Sequence, residues 1–179
     1  MVSKSFLNKQ EYIFAIVTLS VVLLDQLTKF LIRHFQPVWD LKILTIQFIQ
    51  NTGAGFGILQ GKVFWLGILS LIVAGAILYN YKHISKENWM QYAFALFLGG
   101  TIGNMIDRLL IGYVTDFVYF KFWPAFNVAD ACLSIAVIFI VVLTLRKENK
   151  KRKIKLHPDV LCSLVCKLLF YLGTKFDLL

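Results

Sequence analysis

Residues Gly99–Asp130 read GGTIGNMIDRLLIGYVTDFVYFKFWPAFNVAD. The stretch opens inside an apolar run, turns to a strand-forming pattern after Gly112, and ends where another apolar run begins. Three carboxylates, Asp107, Asp116 and Asp130, lie between two hydrophobic segments. Ionisable groups at or near membrane depth are expensive and tend to be functional, so the cluster demands an explanation.

Working outward, the whole chain carries the same apolar character. Of 179 residues, 58% are hydrophobic and 16% charged, with a mean hydropathy of +0.69. Ordinary globular domains run near 45–50% apolar and about 25% charged. Four runs, Tyr12–Leu31, Val63–Tyr81, Trp89–Ile111 and Val128–Leu145, are each close to the length of about 20 residues that crosses a hydrocarbon core of about 30 Å. The expected fold class is an all-α polytopic membrane protein with four transmembrane helices. One domain over residues 1–146 would be followed by a basic tail over 147–179. No internal repeat is present.

The net charge of +9 is distributed at the ends of apolar runs rather than over one face. Lys4 and Lys9 precede the first run, Lys82 and Lys86 sit in the second connection, and seven basic residues lie between Arg146 and Lys155. The first connection carries only Lys42, and the third only Lys121. By the positive-inside rule both termini and the second connection are cytoplasmic, and the first and third connections face outward. A nucleic-acid partner would want a basic face with stacking aromatics on a soluble fold, which this pattern excludes. The first apolar run is too long for a usual signal-peptide core and lacks a small-residue exit site, so it reads as an uncleaved span. Cys132 falls in the fourth run, and Cys162 and Cys166 in the tail. No disulfide framework or zinc spacing is implied, and no metal or organic cofactor is expected.

The first run contains Asp25, Gln26 and Lys29. Asp25 lies about 20 Å along the helix from Tyr12, in the outer part of the membrane. Asp25 and Lys29 are i, i+4 neighbours able to pair on one face. A structural ion pair, an outward-reaching Lys29 and a substrate-orienting role all remain open. In the first outward connection Leu44, Ile46 and Phe48 alternate with Ile43, Thr45 and Gln47, the mark of a strand. It leads into Asn51-Thr-Gly-Ala-Gly-Phe-Gly57, where glycine permits tight turns and Asn51 can bond its own turn. The second run has no charge, and its Gly67, Ser70, Ala74 and Gly75 suggest close helix contact.

In the third run Asn104, Asp107 and Arg108 share a helix face, and Asp107 with Arg108 suggests a structural pair. Val114–Phe120 is rich in strand formers with Asp116 at its centre. Pro124 is expected to break the chain before a helix begins near Asn127–Asp130. Asp130 alone would serve as a helix cap. Two carboxylates delivered to one surface by a strand and a helix start can instead share a proton, giving one acid and one base near neutral pH. That is the chemistry of an aspartic peptidase. His34 stands alone on the outer side, so no Ser/His or Cys/His set competes.

Five short segments carry a resemblance: Asp25-Gln-Leu-Thr-Lys29, Asn51-Thr-Gly-Ala54, Gly103-Asn-Met-Ile-Asp-Arg108, Val114-Thr-Asp-Phe117 and Phe126-Asn-Val-Ala-Asp130. In this order, over about residues 10–146, they resemble the signature blocks of bacterial lipoprotein signal peptidase (signal peptidase II). The resemblance implies a four-helix inner-membrane aspartic peptidase with a small outward-facing β-cradle. It would remove signal peptides from diacylglyceryl-modified prolipoproteins by cutting before the lipidated cysteine. It implies Asp116 and Asp130 as the catalytic pair. The supporting set would be Asp25, Lys29, Asn51, Gly53, Asn104, Asp107, Arg108 and Asn127. Membrane phospholipid as surroundings, inhibition by globomycin and action as a monomer are expected with it. The connection from Asp116 to Asp130, fourteen positions, is short for that family. The tail adds a basic run and an apolar Val160–Leu172, too short to span and readable as an interfacial helix.

A reading from another class is a small ion- or proton-coupled transporter or accessory protein using Asp25, Lys29 and Asp107. It would spread polar groups through the membrane. Here they gather at the outer end.

Overall fold

The computed structural model describes residues 8–54, 59–84 and 87–152. Helix α1 (Lys9–Phe35) opens on a capping box: Asn8 accepts from the Glu11 N–H, and the Glu11 carboxylate accepts from the Asn8 N–H. Both orphan donors are thereby satisfied. It ends at Gln36 in the left-handed region, immediately before Pro37, which cannot continue a helix. Helix α2 is Val63–Tyr79, followed by a 3₁₀ turn over Tyr81–His83. Helix α3 is Asn88–Ile106, and helix α4 is Val128–Arg152. Three helical segments, Lys9–Phe35, Asn88–Ile111 and Val128–Glu148, are long and apolar enough to cross a membrane, while Val63–Tyr79 is a shorter apolar helix. The Val160–Leu172 segment lies outside the described residues, as do Gly55, Phe56 and Gly57.

Both expected strands form, and two more join them. Strands β1 (Trp39–Asp40), β2 (Leu44–Asn51), β3 (Val114–Phe120) and β4 (Trp123–Phe126) make an antiparallel sheet in the order β1-β2-β3-β4. Pro124 does not break the chain as expected. It sits inside β4, an edge strand, where a missing N–H need cost no ladder bond. A two-residue turn at Lys121-Phe122 pairs Phe120 with Trp123, and β4 runs directly into α4. This hairpin is how a short connection carries the chain from Asp116 to Asp130.

The chain divides into two compact units, Met1–Val137 and Ile138–Leu179. In the first, α1 turns Phe14, Val21, Asp25, Lys29 and Ile32 inward, while Ile16, Leu23, Leu27 and Phe30 stay exposed on the face that suits lipid. Glycine sets the helix spacing. A Cβ at Gly99 would lie 2.7 Å from the Val21 side chain, and one at Gly100 would lie 2.6 Å from the Ala129 carbonyl oxygen. Close approach through small residues is what helices use where burial from water offers no drive. Gly67 on α2 does the same against Leu109. Gly75, expected to share that role, meets nothing within 4 Å. In the second unit, the described part of α4 carries exposed Phe139 and Val141.

Candidate active site

The site is built where α1, α3, β3 and the start of α4 meet. Asp25 and Lys29 pair at 2.8 Å, and both are fully buried. The outward-reaching alternative for Lys29 is therefore excluded. Its ammonium also donates to Asn104 Oδ1 at 2.9 Å and meets Asp107 Oδ2 at 3.3 Å. Asp25 does more than balance a charge. Its Oδ1 accepts from the Ala129 N–H at 2.9 Å, so it satisfies an orphan donor in the first turn of α4. Gly103 must be small for this: a Cβ there would stand 2.5 Å from Asp25 Oδ2.

The Asp107 carboxylate meets partners other than the expected Arg108. It accepts from the Thr115 N–H at 2.9 Å and faces Lys29 and, at 3.4 Å, Arg33. Gln26 Nε2 lies 3.4 Å from its Oδ1 and bonds the Gly103 carbonyl at 3.0 Å. The physical reason is a turn of π-helix over Asp107–Ile111, closed by the Gly112 N–H on the Asp107 carbonyl at 3.0 Å. A π turn widens the register, so neighbours in sequence no longer project as an ordinary helix predicts. Arg108 is part-buried, and its Nε has no hydrogen-bond partner among the described residues.

Asp116 and Asp130 come together through Asn127. The Asn127 amide Nδ2 donates to Asp116 Oδ1 at 2.7 Å. Its Oδ1 accepts from the Asp130 N–H at 3.0 Å, and its own N–H donates to Asp130 Oδ2 at 3.3 Å. The last two contacts form a reciprocal cap, with Asn127 as the residue before α4 and Asp130 in its first turn. The cap reading of Asp130 and its place beside Asp116 are therefore compatible. Asn51 Nδ2 donates to Asp116 Oδ2 at 2.9 Å, and Asn104 Nδ2 donates to Asp130 Oδ1 at 2.8 Å. The Asn51 side-chain carbonyl accepts from the buried Gly53 N–H at 2.9 Å, so the turn after β2 aims the amide at Asp116. Among the described residues no hydrogen bond joins the two carboxylates directly; Asn127 bridges them, with its side-chain amide on Asp116 and its main-chain N–H on Asp130.

Asp116 is 1% exposed and Asp130 half-buried. Burial, and then the negative charge of Asp130, push the Asp116 carboxyl up to about 7, against the pull of Asn51, Asn127 and Lys29. A carboxyl tuned to neutrality can hold a proton and release it at physiological pH. Among the described residues no cluster of three His, Cys, Asp or Glu side chains has the arrangement of a metal site.

Every expected site residue is thus gathered except that Arg108 forms no pair with Asp107. Sequence reasoning misses Arg33 and Thr115. The signal that could have found Arg33 is periodicity, since Asp25, Lys29 and Arg33 recur every four residues on one face of α1.

The family described as signal peptidase (SPase) II matches residues 17–146. The chain belongs to the signal peptidase II family. Among relatives, the lipoprotein signal peptidase of Halalkalibacterium halodurans is 41% identical over 155 residues, covering 80% of this chain and 98% of that protein. That of Caldanaerobacter subterraneus subsp. tengcongensis is 35% identical over 138 residues, covering 74% and 95%. A solved structure, described as a bacterial membrane enzyme at 2.3 Å, superposes with a TM-score of 0.73 at 32% identity. It covers 80% of this chain and 94% of its own. This member of the signal peptidase II family is a bacterial membrane peptidase, and the segments bearing Asp116 and Asp130 lie inside the matched region.

Proposed function

We propose that the chain is an aspartic endopeptidase with Asp116 and Asp130 as its catalytic pair. Its activity is removal of signal peptides from prolipoproteins, as the family and the named relatives support. The finer reading is cleavage just before a diacylglyceryl-modified cysteine. The observation that carries the catalytic assignment is that Asn127 donates to both carboxylates, from its side-chain amide to Asp116 and from its main-chain N–H to Asp130. It holds them in one arrangement without neutralising either. No comparison supports a transporter, since the named relatives are peptidases.

The pair works with one proton between them. That proton rests on Asp116, whose carboxyl is raised to about 7, and the apparent value belongs to the pair as a unit. Asp130, the more accessible member, takes a proton from an attacking water as its oxygen bonds the scissile carbonyl carbon. Asp116 gives its proton to the carbonyl oxygen. As the gem-diol collapses, Asp130 passes its proton to the leaving nitrogen, the C–N bond breaks, and Asp116 recovers a proton from a diol hydroxyl. General acid–base catalysis of this kind contributes about 10²–10⁴-fold.

Four spans fit this reading if α2, at 17 residues, crosses near the lower limit of about 17 residues. The basic residues then put both termini in the cytoplasm and the sheet with its dyad at the outer face of the inner membrane. A lipidated substrate holds its scissile bond at that surface. The peptidase part is residues 1–146, with 147–179 as a tail that opens on a basic run. The protein acts as a monomer and is blocked by globomycin. The test is processing of a diacylglyceryl prolipoprotein by Asp116→Asn and Asp130→Asn in membranes. Each is expected to lose about 10³-fold or more in rate with normal folded yield. Wild-type rates from either would remove the assignment.

A further inference from the structure

Arg33 lies one turn beyond Lys29 on α1, and no pairing for it follows from the dyad chemistry. Its Nη1 donates to Thr115 Oγ1 at 2.9 Å and lies 3.4 Å from Asp107 Oδ1. Its side chain is 20% exposed, whereas Asp107 and Thr115 are fully buried. Thr115 is therefore held twice: its hydroxyl by Arg33, and its N–H by Asp107 Oδ2 at 2.9 Å. The next residue in β3 is Asp116. Side chains alternate across a strand, so Arg33 grips one face while the Asp116 carboxyl projects from the other.

We propose that Arg33 is a positioning residue for the peptidase reaction, pinning Thr115 to α1 and so fixing β3 under Asp116. The proposal rests on the reading that Asp116 is catalytic. Charge is not what Arg33 adds. Lys29 already lies 3.3 Å from Asp107, and the groups acting on Asp116 are Asp130, Asn51, Asn127 and Lys29. What Arg33 adds is a rigid planar guanidinium whose Nη1 alone reaches the Thr115 hydroxyl and the Asp107 carboxylate, a placement that the flexible, strongly hydrated ammonium of lysine does not reproduce. Losing it should slow turnover while leaving substrate binding and pH dependence in place.

The experiment uses the full chain in phospholipid vesicles and a diacylglyceryl prolipoprotein peptide. Arg33→Gln, Arg33→Lys, Thr115→Val and the double variant Arg33→Gln/Thr115→Val are compared for kcat, KM and pH profile. Arg33→Gln should lower kcat roughly tenfold, the scale of one lost hydrogen bond to a charged group. KM should stay within about twofold by the same reasoning, since no ground-state contact is removed. Arg33→Lys should fail to rescue, the pH profile should keep its position, and the double variant should be no slower than Arg33→Gln. The proposal is overturned by unchanged kcat in Arg33→Gln, full rescue by lysine, a displaced pH profile, or losses that multiply in the double variant. If Arg33→Gln does not fold, Thr115→Val decides alone, because it deletes the hydroxyl at nearly constant shape; unchanged kcat there overturns the proposal. Activity in Asp116→Asn would instead sink the underlying catalytic reading, and this inference with it.

Discussion

Four buried or half-buried aspartates lie within one small region and are treated in two opposite ways. Asp25 and Asp107 are matched to cations, Lys29 for both and Arg33 for the second. Asp116 and Asp130 receive direct hydrogen bonds from neutral groups: the amides of Asn51, Asn127 and Asn104 and the Asn127 N–H. A buried ion pair ties a carboxylate into one fixed arrangement, which makes a good strut. An amide fixes position at lower electrostatic cost and leaves the proton free to come and go. The difference between brace and dyad lies in the donors, not in the aspartates.

The largest test of that contrast is Lys29→Met. It strands Asp25 as a buried charge and leaves Asp107 with Arg33 alone, and breaking a buried pair costs about 3–5 kcal/mol. Folded yield and thermal midpoint in detergent should collapse, whereas the Asp116→Asn protein should melt normally. Equal stability of the two variants would erase the distinction. Next in size is Asn127→Ala, which removes the amide on the Asp116 carboxylate and the acceptor of the Asp130 N–H while keeping the main-chain bond to the Asp130 carboxylate. A lost amide bond to a charged group is worth about 1.5–3 kcal/mol, so turnover should fall by roughly ten- to a hundredfold, read in the same prolipoprotein assay.

A smaller effect sharpens the electrostatic side. Asn51 donates to Asp116 and favours its ionised form. Without that amide, as in Asn51→Ala, the Asp116 proton is held more tightly. Activity that needs a protonated Asp116 declines as pH rises through about 7. The variant's alkaline limb should therefore move upward, on the order of one unit for a bond of about 1.4 kcal/mol. A downward move would reverse the proton assignment. The smallest effect is Gly75→Ala on α2, where open space meets the new methyl. It should leave turnover alone and raise stability by about 0.4–1 kcal/mol, seen as a slightly higher thermal midpoint.

Much of the fold and of the site is legible in the order of residues, and the remainder is hidden for identifiable physical reasons. The Asp25–Lys29 pair follows from helical spacing, β2 from alternation around Ile46, and β3 from the strand formers around Asp116. These are local signals. Adjacency in the chain suggests Arg108 as the partner of Asp107, and the π turn at Asp107–Ile111 undoes that adjacency. Arg33 escapes a local reading because its partner Thr115 lies 82 positions away. Strand β4 hides behind Pro124, since only its place at the sheet edge makes proline acceptable there. Periodicity reports which face is buried, not what meets it.

The bond from the Ala129 N–H to Asp25 spans 104 positions of chain. Its carboxylate enters the bilayer with the first helix, yet the N–H that it accepts from belongs to the last. During synthesis the dyad therefore has no frame until α4 arrives, because Asn127 and Asp130 come with it. On the catalytic assignment proposed above, a nascent chain stalled before Val128 would carry Asp116 on its strand without Asp130, and be proteolytically inert. On that assignment, order of translation serves as a safeguard: hydrolytic power appears only when the whole bundle has been delivered to the membrane.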